Sequence, residues 1–160
     1  MYYISQRQFF NDLENSLTFI KKNIEFDLLF CVMKGGLIIG QYLAYKLNKP
    51  LFIIECNKDL TFIKTTFNFE KNEGKPQRIL VVDEILDTGK TFGIIDKELC
   101  IKCEEYNLDW KIDYWCLYNR QLPLIKRDIG YHDMGKRKHY IYYYKEIKSK
   151  QWLTFFWDKF

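Results

Sequence analysis

Residues 79–91 read Ile-Leu-Val-Val-Asp-Glu-Ile-Leu-Asp-Thr-Gly-Lys-Thr, and this stretch limits what the chain can fold into more than any other. Its first four residues are apolar and mostly β-branched, with no alternation of polar and apolar side chains. A strand exposed on one face alternates; an unbroken apolar run belongs to a strand covered on both faces, as in a central parallel strand. The run is expected to stop at Asp83 and Glu84, where carboxylates replace it. A polar turn follows, and then Phe92, Ile94, Ile95, Leu99 and Cys103 recur at helical spacing. Strand, polar loop, helix is the layout in which an open α/β sheet takes ligands beyond its strand ends.

The loop has the chemistry of an anion receptor. Thr88, Gly89, Lys90 and Thr91 lie where the helix begins, so free backbone N–H groups and the positive end of the helix dipole point outward. Gly89 permits close backbone approach, and the threonine hydroxyls add donors. Asp83, Glu84 and Asp87 repel a phosphate; they suit sugar hydroxyls, a metal ion or a proton in transit. Gly89-Lys90-Thr91 also ends like a nucleotide-triphosphate P-loop, but that motif needs a glycine five positions before Gly89. Position 84 is a glutamate, so the match fails.

A chain of 160 residues suits one domain with a substantial core. With 48% hydrophobic and 18% aromatic residues it is not a disordered sequence. A net charge of +4 is compatible with an anionic small molecule and too weak to argue for nucleic acid. No apolar run approaches the roughly 18 residues of a membrane span, and the first residues lack the apolar core of a signal peptide. The five cysteines, scattered and odd in number, suit reduced thiols and a cytoplasmic protein rather than a disulfide framework. Cys100 and Cys103 form a C-x-x-C within the expected helix, read as two helical thiols.

Upstream, Phe9, Phe10, Leu13, Leu17 and Ile20 follow the helical period, with Ser5 or Asn11 as the cap. Phe26 to Val32 reads as a strand, Met33-Lys34-Gly35-Gly36 as a turn, and Leu37 to Leu47 as a helix. This second strand–glycine turn–helix unit supplies another anion site, with Lys34 as a point charge. Leu51 to Cys56 is a third strand, and Thr61 to Phe67 suits a hairpin arm before a turn at Lys71–Pro76. Ile112 to Leu117 is a further strand, with Arg120 just past its end.

Residues 33–36, 79–91 and 152–158, in this order, resemble the loops of the type I phosphoribosyltransferases, in particular the hypoxanthine/xanthine-guanine branch. The resemblance implies an α/β fold: a central, mostly parallel five-stranded sheet flanked by helices, with a small C-terminal hood built with or without the N-terminus. Residues 1–120 would form the core and 121–160 the hood of the same domain. It implies transfer of 5-phosphoribose from phosphoribosyl pyrophosphate to N9 of a 6-oxopurine, with release of pyrophosphate. Thr88, Gly89, Lys90 and Thr91 would hold the 5′-phosphate, Asp83 and Glu84 the ribose diol, and Lys34, Gly35 and Gly36 the pyrophosphate. A cis peptide, carried over from the family, would fall at Lys34–Gly35. Asp87 would take the purine proton. Arg120, standing where the family has a lysine, would meet the 6-oxo group; Trp152 would stack on the base and the backbone at Leu153 would read its edge. Mg²⁺ is the implied cofactor, with Asp83 and Asp158 as candidate ligands, and a homodimer or homotetramer is the implied assembly. The loop after Cys56 lacks the family's Ser-Tyr pair, and no site residue is assigned between 57 and 77.

From Arg120 to Lys150 nine Lys/Arg face three acids, with tyrosines interleaved. Basic aromatic surfaces bind single-stranded nucleic acid; a solvated loop with an amphipathic edge strand is the commoner origin of such a segment. The rival function is therefore a regulator of the same fold that binds the sugar pyrophosphate and RNA or DNA without turnover. Transfer to a pyrimidine is a third reading, opposed by the Trp152 ending. His132 and His139 lack metal-ligand spacing and read as isolated surface residues. Gly130–Gly135 reads as a surface excursion.

Overall fold

The computed structural model describes residues 1–72, 74, 76–120 and 139–159. In chain order the elements are β1 (Tyr2–Ile4), α1 (Gln6–Asn23), β2 (Leu28–Val32), α2 (Gly36–Leu47), β3 (Leu51–Cys56) and β4 (Ile63–Thr65). Then come β5 (Gln77–Leu86), α3 (Lys90–Glu105), β6 (Trp110–Asn119), β7 (Ile141–Glu146) and β8 (Leu153–Phe155), with a short 3₁₀ turn at Phe156–Lys159. Six strands form the main sheet in the order β4-β3-β2-β5-β6-β7. Five are parallel; β4 pairs antiparallel with β3 as the expected hairpin arm.

β5 sits in the interior of this sheet because its sequence tolerates nothing else. Leu80 and Val82 pack on one face with the buried residues of α1 and α2, while Ile79 and Val81 pack on the other with Phe92, Ile95 and Leu99 of α3. All four residues are essentially inaccessible to solvent. The strand does not stop at Asp83. It runs on to Leu86, because Asp83, Ile85 and Leu86 stay in register with Cys116, Tyr118 and Asn119 of β6. The main-chain ladder overrides the change of side-chain character.

α1 is capped by Ser5, whose Oγ accepts the Gln8 N–H at 3.1 Å, and Asn11 lies inside the helix. Phe9, Leu13, Leu17 and Ile20 face the core, while Phe10 stays partly exposed. The hood is a two-stranded parallel ribbon joining the two ends of the chain, with Tyr2 opposite Leu153 and Ile4 opposite Phe155. Trp157 stacks on Phe155 at 4.6 Å between centroids and meets Phe9 edge-on, so its role is packing.

The boundary expected at residue 120 is corrected by the sheet. β7 belongs to the main sheet as the edge strand beside β6, and the hood draws Tyr2–Ile4 from the other end of the chain. A strand with a free main-chain ladder on β6 is better satisfied there than in a separate lobe. His132, the Gly130–Gly135 excursion and most of the basic segment lie outside the described residues. His139 is corrected too: it is buried against Asp96, not a surface residue. Among the described residues no helix is long and apolar enough to cross a membrane.

Candidate functional site

β2 is followed by α2 and leads to β3 on one side; β5 is followed by α3 and leads to β6 on the other. The chain thus diverges between two hydrogen-bonded neighbours, β2 and β5. Loops leaving such a pair in opposite directions open a crevice at their carboxyl ends. A cavity of about 610 Å³ lies there. Met33 and Lys34 line it from the β2 loop, Asp83 to Gly89 from β5 and its loop, and Trp152 closes it from the hood.

The two glycine turns have different reasons to be glycine. Gly89 caps α3 with φ +78°, a conformation side chains disfavour, and so turns the first amides of α3 outward. Gly35 has an ordinary φ of −66° and is instead required by closeness. A Cβ there would lie 2.0 Å from Cδ of Glu84. At Gly36 a Cβ would lie 2.7 Å from the carbonyl oxygen of Val82. The pyrophosphate-loop candidate is therefore pressed directly onto the acidic pair. The cis peptide in this loop is Met33–Lys34, one bond before the Lys34–Gly35 position expected by resemblance.

Asp83 is buried, and its Oδ1 accepts the Glu84 N–H at 2.9 Å. Burial, and then the neighbouring Glu84 charge, push the Asp83 carboxyl well above the usual carboxylate range. The same low-dielectric pocket raises nearby thiols: burial first, with Asp83 adding to it, pushes Cys56 up to about 11. Among the described residues neither Asp83 nor Glu84 has an ion-pair partner.

Asp87 and Trp152 line the cavity, and Arg120, which does not line it, contacts both. Arg120 Nε donates to Asp87 Oδ1 at 3.0 Å and Nη2 donates to Oδ2 at 3.3 Å, a two-point clamp. A third donor, Nη1, reaches the Gln151 carbonyl, and the guanidinium lies 5.4 Å from the Trp152 ring centroid. The Arg120 N–H is itself anchored on the Leu86 carbonyl at 2.9 Å. Trp152 is 67% exposed, so an indole face remains open to a planar ligand.

Other predicted site residues stand apart. Thr88 and Thr91 line the cavity, but the Lys90 side chain lines a neighbouring one with Lys58 and Lys97. Leu153 is buried in β8, paired with Tyr2. Asp158 does not face the cavity; its Oδ2 accepts the Phe155 N–H at 2.8 Å and caps its own turn. One carboxylate oxygen of this metal-ligand candidate is thus engaged with the backbone, away from the residues that line the cavity.

The cavity also takes residues left unassigned from sequence: Cys56, Asn57, Lys58 and Leu60, at the carboxyl end of β3. Asn57 Oδ1 accepts the N–H groups of Thr61 and Phe62, folding this loop back at the cavity mouth. The available signal was position: Asn57 and Lys58 directly follow a strand that neighbours β2.

The family described as phosphoribosyl transferase domain matches residues 6–93. Over 70 residues the chain is 36% identical to an orotate phosphoribosyltransferase of Archaeoglobus fulgidus, a match covering 44% of this chain and 38% of that protein. Over 89 residues it is 28% identical to an adenine phosphoribosyltransferase of Caldicellulosiruptor saccharolyticus, covering 48% and 51%. The chain thus matches about half, or less, of the length of these curated relatives. Among solved structures it is similar to a purine phosphoribosyltransferase from Pyrococcus horikoshii, with TM-score 0.66, 20% identity and 99% and 94% of the two chains covered. A Helicobacter pylori xanthine-guanine-hypoxanthine phosphoribosyltransferase gives TM-score 0.65 at 20% identity, with 98% and 92% covered. At such identities the likeness establishes the fold.

Proposed function

This chain belongs to the phosphoribosyl transferase domain family, and we propose that it transfers 5-phosphoribose from phosphoribosyl pyrophosphate to N9 of a 6-oxopurine. The observation that carries the reading is the meeting of Asp87, Arg120 and Trp152 between two phosphate-type turns. Guanidinium N–H groups suit a ring carbonyl, an indole face suits a planar base, and a carboxylate suits the proton that N9 must lose.

In the reaction the bond from C1 of the sugar to the pyrophosphate oxygen breaks and a bond from C1 to N9 forms. Positive charge builds on the sugar as the leaving group departs, so the main task is orientation and charge stabilisation. The α3 N-terminus at Gly89 holds the 5′-phosphate, with Thr88 and Thr91 as added donors. Asp83 and Glu84 accept the ribose hydroxyls. Lys34 and the amides near Gly35 and Gly36 face the pyrophosphate. Asp87 takes the N9 proton, its carboxylate aimed by Arg120.

Mg²⁺ fits the donor set. Asp83 and Glu84 offer hard oxygen atoms, and a buried carboxylate without a cation partner favours a divalent ion beside it. Asp83 and Glu84 would hold the ion, which when bound supplies countercharge for pyrophosphate.

The test is a panel: guanine, xanthine, hypoxanthine, adenine and orotate, each with phosphoribosyl pyrophosphate and Mg²⁺, with nucleotide and pyrophosphate measured. Nucleotide from the 6-oxopurines is expected. Preference for adenine or orotate would overturn the substrate class. Tight binding of the sugar with no product from any base would replace the enzyme by a regulator.

A further inference from the structure

A second cluster of reactive side chains lies between α3 and the β6–β7 edge of the sheet, among residues that do not line the cavity. Asp96 and Cys100 are one turn apart on the stripe of α3 that faces β6, and His139 lies two residues before β7. Each brings a ligand atom to within 4.8 Å of the other two. Asp96 is 1% exposed and the His139 side chain 4% exposed. Asp96 Oδ1 accepts the Tyr114 hydroxyl at 2.7 Å and contacts His139 Nδ1. The other ring nitrogen, Nε2, is buried with no hydrogen-bond partner among the described residues.

We propose that Asp96, Cys100 and His139 bind a zinc ion. Three features point the same way. The donors mix carboxylate oxygen, imidazole nitrogen and thiol sulfur; such a set suits Zn²⁺ and is poor for Mg²⁺ or Ca²⁺, which take oxygen. The contact between Asp96 Oδ1 and His139 Nδ1 already joins two of the three donors, and a metal ion bound between them would replace that hydrogen bond. Tyr114 supplies the outer hydrogen bond that fixes the orientation of a ligating carboxylate. On binding, the Cys100 thiol gives up its proton to solvent and the thiolate sulfur donates to the metal.

The site would fasten α3 to the start of β7 across β6. Asp96 lies less than two turns from the Gly89 cap, so the ion would brace the helix whose first amides form the anion-binding turn. The competing account is a metal-free hydrogen-bond network of His139, Asp96 and Tyr114, and it predicts no metal uptake.

The experiment strips the purified full chain with EDTA, exchanges it into chelator-free reducing buffer and titrates it with Co²⁺, then with Zn²⁺. One equivalent of Co²⁺ should give a thiolate charge-transfer band and tetrahedral visible bands, both displaced by one equivalent of Zn²⁺. Cys100→Ser should abolish the charge-transfer band. His139→Ala should weaken binding beyond the roughly 10–100-fold typical of an outer-shell change. Cys103→Ser should leave the band in place, and near-ultraviolet circular dichroism reports whether each variant is folded. Zinc K-edge absorption of the unaltered protein must show sulfur at about 2.3 Å, a readout needing no variant. Absence of stoichiometric uptake, absence of sulfur at that distance, or binding unchanged in folded Cys100→Ser and His139→Ala would each overturn the site.

Discussion

The contact between Gly35 and Glu84 offers the sharpest test of how the two loops cooperate. Gly35 has a backbone conformation that alanine accepts readily, so Gly35→Ala carries no dihedral penalty. What it adds is a methyl group 2.0 Å from Cδ of Glu84, against roughly 3.5 Å for ordinary carbon contact. The carboxylate must retreat by about 1.5 Å. Glu84 is only half-buried, so the swing costs about 1 kcal/mol or less in stability. Function suffers more. Losing one hydrogen bond that a ribose hydroxyl donates to the Glu84 carboxylate costs about 1.5–3 kcal/mol, or roughly 10- to 150-fold in kcat/KM for phosphoribosyl pyrophosphate. A double-mutant cycle isolates the cause: if the damage runs through Glu84, Gly35→Ala adds almost nothing in a Glu84→Ala background. Thermal melts and steady-state kinetics on the four proteins complete the cycle. Additive losses in kcat/KM would refute the contact, and a Gly35→Ala protein that fails to fold would refute the mobility assigned to Glu84.

Other substitutions probe the remaining parts of the site. Asp83→Asn should raise the melting temperature of the ligand-free protein at pH 7. The native carboxyl is held above its ordinary value, so its ionised form opposes folding once pH rises through the window between the ordinary and the raised value. That advantage should shrink towards nothing as melts are taken down to about pH 4, and an advantage that instead grows on acidification would reverse the sign. Asp87→Asn should preserve binding of the sugar pyrophosphate, read by calorimetry, while turnover falls about 10²–10⁴-fold; equal losses in both would remove the proton-acceptor role. Trp152→Ala should raise the KM for the purine by about 10-fold, from the loss of roughly 1–2 kcal/mol of stacking, and leave that for the sugar substrate nearly unchanged. An unaltered purine KM would move the base elsewhere.

Legibility in the sequence followed the reach of the interactions. Ile79 to Val82 announced a doubly buried strand because burial on two faces writes itself into consecutive side chains. The end of that strand did not, since pairing of Asp83–Leu86 with β6 is a main-chain matter. β1 and β8 are three residues each and find one another across the whole chain, so neither carries a pattern of its own. Asp87 and Arg120 were each readable as site residues, but not their clamp, which depends on the register of β5 against β6. His139 reads as a surface residue in the sequence for the same reason: its partner Asp96 is 43 residues away on a different element.

The order of the strands explains why this crevice suits one kind of ligand. Taken across the sheet from β3 to β5, the cavity meets Lys58, then Lys34, then the acids Asp83, Glu84 and Asp87, with Arg120 clamped on Asp87 from the end of β6. Cations flank a central acidic strip, and the Gly89 amides stand beside the acids as a separate anion receptor. A ligand that was anionic throughout would be repelled by the middle, and one without hydroxyls or a cation would offer the Asp83–Glu84 pair neither a donor nor a countercharge. The complementary ligand carries phosphate groups at its ends, hydroxyls or a metal ion over the acidic strip, and a flat polar ring against Arg120 and Trp152. An activated sugar phosphate beside a planar base would meet all of these demands at once, so the charge layout supports the proposed transfer independently of the chain's kinship.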